Sequence, residues 1–176
     1  IEVMLVKDPL EDFPEFLPPP GYQISLYRTG DFRHWIRIHR DAEPYHRVDE
    51  RLFKREFGVD ERLIEQRQYF ICSPEGQKVG TATAWFNDDL SGHGFGRIHW
   101  VAVSPSHQGK GLAKALTTRL CRRFLELGHT RALVTTESFR QDAIWIYRKF
   151  GFVPSPRNEE EQLFWEHYER GRTRII

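Results

Sequence analysis

Six residues, Gln108-Gly109-Lys110-Gly111-Leu112-Ala113, carry the densest chemical signal in the sequence. They follow the apolar run Ile98 to Val103 and a break at Ser104 and Pro105, and a long amphipathic stretch follows them. A strand, a tight turn and a helix that opens on small residues leave several backbone N–H groups unpaired at the positive end of a helix dipole. Such a helix start takes phosphate, and glycine lets the main chain come close to it. Two common phosphate signatures do not fit. A nucleotide P-loop needs a Ser or Thr after Gly-Lys to hold magnesium, whereas Lys110 precedes Gly111 and no hydroxyl follows. A dinucleotide fingerprint needs Gly-x-Gly-x-x-Gly with an acid about 20 residues later, and neither is present. The stretch "GHGFG", Gly92 to Gly96, precedes a strand rather than a helix and reads as a loop.

A phosphate loop works only if a strand and a helix hold it, and the sequence supplies such elements on both sides. "YQISLY", Tyr22 to Tyr27, alternates as a strand. Asp31 caps a helix through about Ala42, with Phe32, Trp35, Ile36 and His39 at helical spacing, and Pro44 ends it. A second helix, Asp49 to Phe57, carries Leu52, Phe53 and Phe57 on one side. Arg67 to Phe86 reads as a hairpin turning at Ser73 to Gly76. After a polar connection, Asn87 to Gly96, come a strand (Arg97–Val103) and a helix from Gly109 to about Leu127. That helix sets Leu112, Leu116, Leu120, Phe124 and Leu127 on one stripe and Lys110, Lys114, Arg122 and Arg123 off it. A buried strand (Arg131–Thr136), a helix ending at Gly151 and a last strand (Gln162–Tyr168) complete the order. Residues 1–21, rich in Pro and acid from Lys7 onward, are expected to be an irregular lead-in, with 22–176 as one domain.

Gln108, Gly111 and Ala113 match the pyrophosphate signature of the GCN5-related N-acetyltransferase (GNAT) superfamily, and "VAVSPSHQGKGLA" resembles the family's strand-to-helix approach. "AIWIYRKFGF", Ala143 to Phe152, resembles its second signature, a helix with Ala and Tyr four apart and a Gly-Phe ending. The resemblance implies an α/β fold with a mixed central sheet of about six to seven strands flanked by about four helices. It implies acetyl-CoA as co-substrate and transfer of its acetyl group to a primary amine of a small molecule or peptide. The donor site would comprise Gln108, Gly109, Lys110, Gly111, Leu112 and Ala113 for the pyrophosphate, and the main chain of Val101, Ala102 and Val103 for the pantetheine arm. In the family a bulge splays this strand and frees an N–H for the thioester carbonyl.

Direct acyl transfer also needs a base for the amine and an acid for the leaving thiolate. His99 has the right chemistry for the base, and strand periodicity puts it on the face of Val101, two residues on. The plainer reading is a strand histidine satisfied by a neighbour. Glu137, just past the next strand, is the second candidate. Tyr147 suits the acid, since tyrosine near 10 and thiol near 8.5 are well matched; spacing alone reads as a core tyrosine. Many family members contact the cofactor with an Asn where Arg140 stands here, so Arg140 either meets a phosphate or is solvated. The acceptor would border Ile38 to Glu50, which holds His39, Asp41, Glu43, Tyr45 and His46; acids there would attract an ammonium group, or form a solvated helix end. Two alternatives stay open: transfer of another acyl group, and an acetyl-CoA-binding module without turnover.

Composition narrows the class. The 176 residues, 39% hydrophobic, suffice for one buried domain and are short for two. A net charge of +1 from 26 basic and 25 acidic residues gives no overall field for nucleic acid or an anionic membrane. Cys72 and Cys121 are too few for a disulfide scaffold and fit a reducing, cytoplasmic setting. No apolar run nears the roughly 20 residues of a membrane span, and no secretory leader is visible. A chain that starts at Ile1 is expected to lack some N-terminal sequence. His39 and His46, seven apart across Pro44, lack the spacing of a metal pair, so no metal is expected. The C-terminal "EHYERGRTRII" reads as a strand end with a tail, or as an edge that a second subunit completes, leaving a homodimer open.

Overall fold

Apolar alternation and helix caps divide the chain into β1 (Glu2–Lys7), β2 (Gln23–Leu26), α1 (Phe32–Ala42), α2 (Glu50–Phe57), α3 (Glu61–Glu65), β3 (Gln68–Cys72) and β4 (Lys78–Phe86). There follow β5 (Phe95–Val103), α4 (Leu112–Glu126), β6 (Arg131–Glu137), α5 (Gln141–Lys149), β7 (Val153–Pro154) and α6 (Glu159–Thr173). The computed structural model describes residues 1–43, 47–86 and 94–173. Asp49 starts α2 by accepting a hydrogen bond from the Leu52 N–H at 2.9 Å, and Gly58, at φ 76°, ends it.

The strands form one seven-stranded sheet in the order β2-β3-β4-β5-β6-β1-β7. It is mixed: β5 and β6 run parallel, and the other pairs run antiparallel. The α/β architecture and strand number agree with expectation, while α3 and α6 bring the α-helices among the described residues to six. Side chains alternate across the sheet, so Tyr69 and Ile71 of β3 enter one core and Phe70 the other. The first core lies under α4, whose stripe Leu112, Leu116, Leu120 and Phe124 is buried. The second lies under α1 and α2, where Trp35 packs edge to face on both Phe53 and Phe57. Gly96 is obligatory in β5, because a Cβ there would stand 2.2 Å from Phe124 Cδ1.

Two sequence expectations are corrected. Glu2–Lys7, expected to be irregular, is a strand paired with β6 and β7, with Val3 and Leu5 fully buried. Its partners lie far along the chain, and local composition was dominated by the prolines that follow. The remaining lead-in wraps α4: the Phe16 N–H donates to Thr118 Oγ1 at 3.0 Å. Gln162–Tyr168, expected as a strand, lies within α6. The Asn158 side chain accepts from the Glu161 N–H at 2.9 Å, three acids fill the first turn, and Trp165 is buried while Leu163 is 49% exposed. These are helix-start signals and helical spacing, and they outweigh the two-residue alternation of the aromatic run. No helix among the described residues is long and apolar enough to cross a membrane. Cys72 and Cys121 are both free thiols.

Candidate active site

The site is a gap in the sheet. β5 and β6 pair from Phe95↔Arg131 to Ile98↔Val134 and no further, although β6 runs on to Glu137 against β1. Beyond Ile98 the two strands border a cleft of about 900 Å³ that reaches from Glu137 and Tyr147 to the loop before α4. On its other edge β5 stays with β4, but with one extra residue: Thr81 pairs with Ala102 and Thr83 with His99. This is a β-bulge, and Trp100 within it adopts φ 49°, a conformation that costs a bulky residue about 1–3 kcal/mol.

The bulge resets which side chains face which layer. Val101 packs against the α4 core, whereas Trp100 and Ala102 join the α1–α2 layer. His99 does too, against Phe57 at 5.5 Å. The expected shared face of His99 and Val101 is therefore wrong, because the extra residue breaks the two-residue period.

Glu56 of α2 ties down both polar side chains of the bulge. Its Oε2 accepts from Trp100 Nε1 at 3.0 Å and stands 3.2 Å from His99 Nε2. Hydrogen bonding to His99 is the main reason the Glu56 carboxyl sits at about 2, so the group is an anion. Burial pulls the His99 imidazole below its ordinary value, and the bond to Glu56 opposes that pull. At neutral pH the pair is thus a carboxylate and a neutral imidazole that donates through Nε2, which leaves Nδ1 as the basic nitrogen. The ring of His39 lies behind, 5.1 Å from Trp100 and 4.4 Å from Trp35. Burial holds it at about 3, hence neutral, and its Nε2 has no partner among the described residues.

The loop is set by shorter-range forces. Gly109 and Gly111 adopt φ 75° and 82°. A Cβ on Gly109 would meet nothing within 4 Å, and one on Gly111 only Lys114 Cε at 3.8 Å. An anion can therefore approach the first N–H groups of α4 without displacing protein atoms. Gln108 braces the loop to the strand, its Nε2 donating to the Val103 carbonyl at 2.9 Å.

Val101, Ala102, Val103, Gln108, Gly109, Gly111, Leu112, Ala113, His99, Glu137, Arg140 and Tyr147 all border the cleft. Lys110 does not: its ammonium turns to the Tyr22 hydroxyl at 3.3 Å. Tyr147 is buried, and burial raises its phenol above the ordinary tyrosine value. Arg140, at the N-cap of α5, pairs with the buried carboxylate of Glu43. Glu137 ends β6, opposite Glu2 of β1. In the acceptor segment His39 and Glu43 reach the cleft, Asp41 stays outside with Arg37, and Tyr45 and His46 fall outside the described residues. Sequence reasoning missed Glu56. The available signal was an acid beside the stripe of Leu52, Phe53 and Phe57, where a solvated helix face would be the default.

Residues 15–152 match the acetyltransferase (GNAT) family. Mycothiol acetyltransferase of Streptomyces coelicolor is 25% identical over an alignment of 159 residues that covers 86% of this chain and 50% of that protein; the chain spans about half the length of this relative. A GCN5-related N-acetyltransferase of Sphaerobacter thermophilus superposes with a TM-score of 0.73 at 19% identity, over 88% of this chain and 48% of its own. AAC(6')-Iy, in complex with the bisubstrate analogue CoA-S-monomethyl-acetylneamine, superposes with a TM-score of 0.60 at 18% identity, over 78% and 94%.

Proposed function

This chain belongs to the acetyltransferase (GNAT) family, and from that premise we propose that it moves an acetyl group from acetyl-CoA to a primary amine by direct transfer in the cleft between β5 and β6. The carrying observation is that one cleft receives both an anion-ready glycine loop and an imidazole backed by a carboxylate. A phosphate holder alone has no need of the second. The names of the relatives, a mycothiol acetyltransferase and a CoA–acetylneamine complex, support a small-molecule acceptor.

Bound acetyl-CoA supplies an activated acetyl group on a thiol leaving group. The N–H groups of Gly109 to Ala113 hold its pyrophosphate. The main chain of Val101 to Val103, beyond the last β5–β6 pair, pairs with the pantetheine arm and offers an N–H to the thioester carbonyl. His99 Nδ1 takes the amine proton, directly or through water, and Glu56 stabilises the imidazolium that results. Glu137 is the second base candidate. Tyr147 directs its hydroxyl proton to the departing sulfur. Burial holds the Tyr147 phenol above its ordinary value, so the hydroxyl keeps its proton until the sulfur leaves. Glu43 already neutralises Arg140, so the reading assigns Arg140 no phosphate.

A thermal shift tests the reading first, since a ligand that binds only the folded state must raise its stability. Acetyl-CoA at a hundredfold excess over Kd is expected to raise Tm by about 5–10 °C, and ATP to leave it unchanged. CoA thiol release with a panel of amines then identifies the acceptor. No shift with acetyl-CoA overturns the proposal.

A further inference from the structure

One cluster on the rim of the same cleft has no part in these steps. Trp145 of α5 is 43% exposed. The ammonium groups of Lys114 and Lys149 lie 5.9 and 5.0 Å from its ring centroid, and 5.0 and 5.5 Å from the ring of Phe16. Helices α4 and α5 thus bring two cations to one open indole, with the Phe16 ring of the N-terminal segment against both ammonium groups. Neither lysine has an acidic partner within ion-pair distance among the described residues, whereas the neighbouring Arg148 is neutralised by Glu169 at 2.9 Å. The positive charge left on this rim belongs to the two lysines.

The cluster is continuous with the loop. Trp145 and Lys114 border the cleft together with Gly109, Gly111 and Ala113, and Lys114 Cε is the atom nearest to a Cβ built on Gly111. A flat aromatic face beside two unpaired ammonium groups is complementary to a planar base that carries a phosphate: the base stacks on the indole and the phosphate meets the lysines. We propose that Trp145, Lys114 and Lys149 seat the adenosine 3'-phosphate end of CoA, with adenine on the indole and the 3'-phosphate between the ammonium groups. The proposal rests on the acetyl-CoA reading above and adds which residues take the nucleotide.

Titration calorimetry with CoA, 3'-dephospho-CoA and 4'-phosphopantetheine tests it and separates the two readings. The unaltered chain is expected to bind CoA about tenfold more tightly than 3'-dephospho-CoA. The double variant Lys114→Ala, Lys149→Ala loses that preference while keeping its affinity for 3'-dephospho-CoA. Trp145→Ala weakens both nucleotides about tenfold and leaves 4'-phosphopantetheine unchanged. Each variant carries its own internal control, retained 3'-dephospho-CoA binding for the lysine pair and retained 4'-phosphopantetheine binding for Trp145→Ala, so a folding defect cannot imitate the result. CoA binding with no preference for the 3'-phosphate, or a preference that survives in the lysine variant, overturns the seat and leaves the acetyl-CoA reading intact. Failure of the unaltered chain to bind any of the three overturns both.

Discussion

The loop from Gln108 to Ala113 and the bulge at His99 and Trp100 border one cleft, yet they are held by different forces. The loop is shaped by its own glycines and braced by a side chain five residues from its acceptor. The bulge is held by Glu56, 44 residues from Trp100, and by rings from α1. A local device fails through the residue that is changed. A device assembled at long range fails through any of its partners, and by degrees.

The largest expected effect falls on the loop. Gly111→Glu puts a side chain on a residue at φ 82° and a carboxylate against the phosphate position. CoA affinity is expected to drop more than about 100-fold in calorimetry, and unchanged affinity would remove the loop from the donor site. On the bulge side, His99→Gln should lower kcat by about 10²- to 10⁴-fold with CoA affinity kept. A kcat within a few fold of the parent would pass the base role to Glu137. Tyr147→Phe, which keeps the ring and drops the hydroxyl, should cost about 10- to 100-fold in kcat and little in acetyl-CoA affinity; normal turnover would leave Tyr147 a core residue.

The smallest effect sharpens the comparison most. Because burial holds His99 below its ordinary value, the imidazole stays unprotonated as pH falls through about 6.5, and the acid limb of kcat/KM lies below that pH. Glu56 opposes the downward pull. Glu56→Gln therefore moves the acid limb to still lower pH and reduces kcat about tenfold, since the imidazolium loses its counter-charge. A merely structural Glu56 would lower stability and leave the limb in place.

Legibility followed the same division. Apart from the short α3, the order of elements from β2 to α5 was readable, because caps, breakers and periodicity act within a few residues, as at Asp49 and Gly58. β1 was not readable: the short apolar run Val3 to Val6 becomes a strand only when β6 and β7 stand on either side. α6 was misread because its aromatic run fits two periods, and only contact with the core at Trp165 selects one. In the candidate site, the loop glycines stood out by their place between a strand and a helix, and Tyr147 only through the family resemblance; Glu56 did not stand out, since an acid on an amphipathic helix carries no mark of what it will meet.

The sequence by itself determined the loop, its helix and the stripe that buries that helix, because positive-φ glycines and 3.6-residue periodicity are properties of neighbours along the chain. Tertiary structure alone decided that β5 leaves β6 after Ile98, that one extra residue turns His99 and Trp100 to the same layer, and that Glu56 meets both. Register and bulge depend on the partner strand, and the state of a buried imidazole depends on which carboxylate the fold brings to it.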